Sequence, residues 1–148
     1  MELNKTFDIR IGNYSFDTLP REVVEQLFKD GRHISPFMEL LLCQKFDLTH
    51  VTGCKGHDMI DPGNPEIKYE QKMFTPYGCK FMPSSMVGTG RSFDPDIFAE
   101  KAAKLIYIIV SNVAFPDVKI RFVTGTDMLA LYPKGIIPPA DHDRFFSM

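Results

Sequence analysis

The stretch LIYIIVS, residues 105 to 111, limits the fold more than any other part of the chain. Successive side chains of a strand point to opposite faces, and this stretch is apolar on both. Such a strand belongs in the middle of a sheet that is covered on both sides. VKIRFV, 118 to 123, alternates as a neighbouring strand would. A chain of 148 residues with 44% hydrophobic content can bury one sizeable core, so a single domain over residues 1–148 is expected.

Helical patterns supply the covering layers. Pro20 opens a helix with Val23, Val24, Leu27 and Phe28 in one apolar stripe, and Gly31 reads as its stop. Ser35 reads as the N-cap of a second helix, with Pro36 at its first position and its end near Phe46. Asp94 and Pro95 start a third helix through about Lys104, and Thr126 caps a short helical turn. TFDIRIGNYSF reads as a strand or small hairpin around Gly12-Asn13. An extended piece is expected at CKFM, 79 to 82, and the Pro-rich end from Pro133 shows no clear pattern. The order is helices, hairpin, helix, strands, which is an α/β layer architecture with a central mixed sheet.

Bulk properties exclude several classes. The segment 105–115 is too short to cross a bilayer, and MELNKTFDIR has no apolar run of the secretory type, so a soluble, cytoplasmic protein without membrane contact is expected. Cys43, Cys54 and Cys79 form an odd set without close pairing, which fits reduced thiols. Cys54, His57 and Cys79 allow a zinc reading that lacks a fourth ligand. A formal net charge of −2 gives no global attraction to nucleic acid, so any such surface must be local.

The chemistry concentrates in HDMIDPGNPEIKYEQKMF, 57 to 74, a hairpin around Pro62-Gly63-Asn64-Pro65. Glu66, Lys68, Glu70 and Lys72 share one strand face, and Ile67, Tyr69, Gln71 and Met73 share the other. A solvated face with cross-strand ion pairs is one explanation. The other begins with Asp58, which the hairpin can return to the side of Glu70. Two adjacent carboxylates repel unless a cation lies between them, and Mg²⁺ takes one or two carboxylates plus substrate phosphate. Lys72, on the Glu70 face, can then orient an attacking water and stabilise developing phosphorane charge.

The run Gly56, Asp58, Ile60, Asp61, Gly63, Tyr69, Glu70 and Lys72 resembles the PD-(D/E)XK nucleases, most closely the small dimeric type II restriction endonucleases and related free-standing homing endonucleases. The resemblance implies a restriction-endonuclease-like core, Asp58 and Glu70 as Mg²⁺ ligands, and Lys72 as the catalytic lysine. It also implies an auxiliary role for Glu39 on an early helix and products ending in 5′-phosphate. The order of helices, acidic hairpin, helix, buried strand and further strand matches that superfamily's core. Gln71 departs from the pattern, since the middle of the Glu-x-Lys element is usually aliphatic, and a buried glutamine needs hydrogen-bond partners. Glu66-Ile67-Lys68 is a second register with an aliphatic centre, though it begins at the mouth of the turn. Asp61, next to Pro62, reads as a turn residue.

Recognition residues are sought in PSSMVGTGRS, 83 to 92. Ser84, Ser85, Thr89 and Arg91 suit phosphates and guanine edges, and Lys55, Lys68 and Lys80 extend a basic rim. The loop is not a P-loop, because Gly-Lys-Ser/Thr is absent. The expected activity is Mg²⁺-dependent cleavage of double-stranded DNA at a specific site. One active site per small subunit calls for a homodimer or higher homo-oligomer to cut both strands. The competing expectations are a non-catalytic nucleic-acid or protein binding module with a charged hairpin face, and a zinc-stabilised interaction domain.

Overall fold

A mixed six-stranded sheet runs through the computed structural model, which describes residues 2–53 and 56–148. Its strands are β1 (Thr6–Arg10), β2 (Thr49–His50), β3 (Met59–Asp61), β4 (Asn64–Phe74), β6 (Leu105–Ser111) and β7 (Asp117–Thr124). They lie in the order β1-β7-β6-β4-β3-β2. A second, two-stranded sheet pairs β5 (Cys79–Lys80) with β8 (Ile136–Ile137).

The doubly apolar strand is central, as expected. β6 pairs parallel with β4 and antiparallel with β7. Its Ile108 and Val110 enter one core with helix α1 (Arg21–Phe28) and helix α2 (Gly31–Phe46). Tyr107 and Ile109 enter a second core on the other face, with α3 (Pro95–Ala102), α4 (Gly125–Leu131) and α5 (His142–Ser147). Both faces are therefore covered, which is the condition that lets an uninterrupted apolar strand exist. The parallel step from β4 to β6 runs through α3, as a parallel pair requires a crossover.

Several local expectations are corrected. Gly31 does not stop a helix; it is the first residue of α2, whose N-cap is Asp30, with the carboxylate accepting the Arg32 N–H at 2.9 Å. A side chain at Gly31 would meet Thr75 Cγ2 at 2.9 Å, so the close approach of α2 to β4 needs glycine here. Ser35 is consequently not a cap, and Pro36 lies inside α2, where it leaves the Arg32 carbonyl without its helical donor. Thr124, not Thr126, caps α4, accepting the Asp127 N–H at 3.2 Å. No hairpin forms at Gly12-Asn13, since β1 pairs with distant β7. Of the α1 stripe only Val24 and Phe28 are buried, while Val23 and Leu27 are exposed.

The Pro-rich end is ordered after all. Arg121, buried on β7, donates to the Phe145 carbonyl and stacks over the Phe145 ring at 4.9 Å. Ser111 Oγ and His142 Nε2 lie 2.6 Å apart and hold α5 against the end of β6. No helix among the described residues is long and apolar enough to cross a membrane.

Candidate active site

β3 and β4 differ greatly in length, and that mismatch creates the site. β3 starts at Met59, opposite Tyr69, so β4 past Tyr69 has no strand partner on that side. Asp58 fills the gap. Its N–H donates to the Tyr69 carbonyl at 2.9 Å, and its Oδ2 accepts the Gln71 N–H at 2.9 Å. A side-chain carboxylate thus replaces the missing ladder bond at the place where the chemistry is expected.

Glu70 and Lys72 follow on one face of β4, and both are largely buried, with side chains 18% and 19% exposed. Lys72 Nζ lies 3.9 Å from Glu70 Oε1 and donates to the Met82 carbonyl at 3.4 Å. Burial, the Asp58 charge and hydrogen bonding with Asp58 push the Glu70 carboxyl up to about 8, against a smaller opposing pull from Lys72. Burial is the larger cause, and the carboxylate conflict expected for the pair adds to it in the same direction.

Glu39 joins from α2. Its Oε2 lies 3.1 Å from His50 Nε2 on β2. Burial raises the Glu39 carboxyl and the Asp58 charge adds to the effect, while the His50 hydrogen bond opposes it. Glu39, Asp58 and Glu70 therefore sense one another electrostatically. His50 was not expected at the site; the only signal in the sequence was its position at the head of the strands that lead into the hairpin.

A cleft of about 130 Å³ opens beside Glu70 and Lys72, with Ser84, Lys101 and Tyr107 among its walls. Lys101 and Tyr107 were also missed. α3 brings Lys101 and β6 brings Tyr107, so only the packing of both elements against β4 makes them neighbours. Burial and then the Glu70 charge raise the Tyr107 phenol, keeping it a neutral donor.

The remaining candidates are dispersed. Glu66 and Lys68 are exposed, so the Glu66 register has no enclosed site. Gln71 is buried and its amide donates to Ser35 O at 3.0 Å and reaches Ser35 Oγ at 3.3 Å, which supplies partners for the atypical central residue, although its Oε1 has none. Asp61 serves the turn, accepting the Gly63 N–H at 3.0 Å. Ser84 lies on the cleft in a 3-10 turn (Ser84–Met86), whereas Ser85 and Thr89 are exposed beyond it. Arg91 Nη1 is turned back onto its own loop, donating to Ser84 O at 2.6 Å and Val87 O at 3.3 Å. Lys55 and Cys54 lie outside the described residues. Cys79 is a core residue, its thiol pushed up to about 12 by burial.

Among the described residues no group of three or more His, Cys, Asp or Glu is placed to hold a metal ion. The oxygen pair of Asp58 and Glu70 does suit a hard cation such as Mg²⁺, which needs one or two protein carboxylates. Burial is the first cause of the raised Glu70 proton affinity and the Asp58 charge the second, and a cation would relieve the second. Comparison with known proteins finds no matching family, no matching characterised protein and no matching solved structure.

Proposed function

We propose that the chain is a Mg²⁺-dependent endodeoxyribonuclease of the PD-(D/E)XK type. The observation that carries this reading is the convergence of Asp58, Glu70 and Lys72 at the open end of the β3–β4 hairpin, with Glu70 raised to about 8 by burial and Asp58. The order α2, β2-β3-β4, α3, β6, with the hairpin acids beside the buried parallel strand, supports the restriction-endonuclease-like core implied by the sequence resemblance.

In this reading Asp58 and Glu70 would hold Mg²⁺, which would supply positive charge to the scissile phosphate and favour ionisation of the attacking water. Glu70 would have to be ionised to serve as a ligand, against the burial and Asp58 charge that raise its carboxyl. Lys72, anchored by the Met82 carbonyl, orients the water and offsets charge on the phosphorane. Glu39, paired with His50 at 3.1 Å, would stand as the auxiliary carboxylate near Asp58. Of the recognition candidates, Ser84 lies on the cleft and would face the DNA there, and Lys101 adds a cation to the cleft wall; Ser85, Thr89 and Arg91 would meet the duplex beyond it. Cleavage of both strands of a site calls for a homodimer, which sets two such hairpins across a duplex two-fold axis.

Plasmid incubated with the protein and Mg²⁺ tests the reading. Linear or nicked product with Mg²⁺, and bound but uncut DNA with Ca²⁺, is the expected pattern. The charged-face reading has one observation in its favour, the internal pairing of Lys72 with Glu70. It predicts no cleavage with either ion.

A further inference from the structure

Ser111, the last residue of β6, touches an imidazole, and the imidazole touches a carboxylate. Ser111 Oγ lies 2.6 Å from His142 Nε2, and His142 Nδ1 lies 2.9 Å from Asp143 Oδ1. An ionised carboxylate only accepts, so the neutral ring carries its proton on Nδ1 and presents Nε2 as the acceptor for the Ser111 O–H. A hydroxyl within hydrogen-bond reach of a base that a third group orients is the pattern of an activated nucleophile. It is defined by geometry and roles, not by sequence position.

The imidazole is packed among aromatic rings. Phe74 meets it edge to face with ring centres 4.9 Å apart, Phe146 lies at 5.0 Å, and the His142 side chain is 16% exposed. The Val113 N–H donates to Ser111 Oγ at 3.3 Å, which leaves the oxygen a second lone pair. Ser111 and His142 share the wall of a cavity of about 360 Å³, a volume within the range of small-molecule sites. Asp8 and Lys119 are on the same wall. Ser111 pairs with Lys119 across β6 and β7, and Lys119 with Asp8 across β7 and β1, so the three side chains lie in one row on one face of the sheet. Lys119 Nζ, 2.7 Å from Asp8 Oδ1, is therefore a cation beside the hydroxyl, able to offset negative charge that develops on a substrate oxygen. Ser111 is only 2% exposed, which admits a short acyl group and not a bulky one.

We propose that this cavity is a second site, a serine esterase centre for small carboxylic esters with short acyl groups. Ser111 is its nucleophile, His142 its general base, and Asp143 the positioning residue for the ring. Ser111 Oγ forms a bond to the ester carbonyl carbon while its proton passes to His142 Nε2. The tetrahedral adduct collapses with cleavage of the ester C–O bond, and His142 returns the proton to the departing oxygen, releasing an alcohol. Water then attacks the acyl-serine by the same proton route, giving the carboxylic acid and restoring Ser111. Water is the sole co-reactant, and the site shares no residue with the Asp58–Glu70–Lys72 cluster.

The test uses the full chain in EDTA, with p-nitrophenyl acetate as substrate and a fluorophosphonate probe located by peptide mass mapping. The parent protein should turn over the ester and carry the probe on Ser111. Ser111→Ala should lose the probe, and His142→Gln should lower kcat by about 10²–10⁴-fold. The Asp143 side chain is 99% exposed, so its replacement leaves the packing of α5 intact. Asp143→Ala should lower kcat by about tenfold with KM and melting temperature unchanged, a split that a purely structural tie between α5 and β6 would not produce. Probe absent from Ser111 in the parent protein, or equal kcat in parent and Asp143→Ala, overturns the proposal even where Ser111→Ala fails to fold. Equal turnover of p-nitrophenyl octanoate and acetate overturns the short-acyl assignment.

Discussion

Asp58 Oδ2 accepts the backbone N–H of Gln71 at 2.9 Å, so one acid of the site is fastened to the strand that carries the other. The bond occupies one carboxylate oxygen of Asp58, and the Asp58 charge adds to burial in raising the proton affinity of Glu70. A carboxylate that replaces a missing ladder bond is held by backbone geometry rather than by a flexible side-chain partner. The Asp58 carboxylate is thereby ordered by the fold itself.

Asp58→Asn retains an acceptor for the Gln71 N–H but loses the charge. Mg²⁺-dependent cleavage should fall below detection while thermal stability holds, because the substitution also relieves repulsion of Glu70. Glu70→Ala should be equally inactive. Plasmid nicking beside a calorimetric scan measures both. An active Glu70→Ala protein with an inactive Glu66→Ala protein would move the site to the exposed Glu66 register.

Glu70 also sets a pH dependence. Its carboxyl is raised from the ordinary value of 4.5 to about 8 in the folded protein. Below about pH 4 the group is protonated in both folded and unfolded chains, and it has no net effect on stability. As pH rises from there toward 8 the unfolded chain loses the proton and the folded chain keeps it, so the native state is progressively disfavoured. Glu70→Gln, a neutral mimic, should therefore raise the melting temperature at pH 8 and leave it unchanged at pH 4, with a gain on the order of a few kcal/mol. Because a cation must displace that proton, Mg²⁺ affinity of the parent protein should increase with pH up to about 8, measurable by titration calorimetry. A melting gain equal at both pH values would show that packing, not ionisation, separates the two side chains.

Lys72 divides the nuclease from the charged face most sharply. Lys72→Ala leaves both carboxylates in place, so DNA should still bind in Ca²⁺ while single-turnover cleavage in Mg²⁺ slows by about 10²–10⁴-fold. The charged-face reading allows only a small effect for loss of the 3.9 Å Lys72–Glu70 contact. Equal cleavage rates in parent and variant would remove Lys72 from the mechanism.

Gly125 tests the fold itself. An added Cβ would stand 1.6 Å from the Ala102 carbonyl oxygen and 3.0 Å from Leu105 O, both backbone atoms where α3 turns into β6. Gly125→Ala must push α4 away from that junction, and should cost about 3 kcal/mol or more in chemical denaturation. Thr126→Ala, next along the helix, should cost far less, since Thr124 supplies the cap.

The amino-acid pattern alone determined the central strand, the helices before the hairpin, the helix that starts at Asp94-Pro95 and the return of Asp58 to the Glu70 strand, but not α5. Each of these follows from period, burial and turn chemistry within a short window, where a side chain's neighbours are dictated by chain direction. Only the tertiary structure decided how the ends of elements are satisfied. α2 starts at Gly31 behind its Asp30 cap and not at Ser35, and position 31 needs glycine because it passes close to Thr75, a residue far along the chain. Arg91 folds onto Ser84 and Val87, and His50 pairs with Glu39, through contacts that no local pattern encodes. Gln71 illustrates the boundary most clearly. Its position in β4 was legible, but its tolerance inside the core depends on Ser35, and a buried amide is stable only where another element brings it a partner.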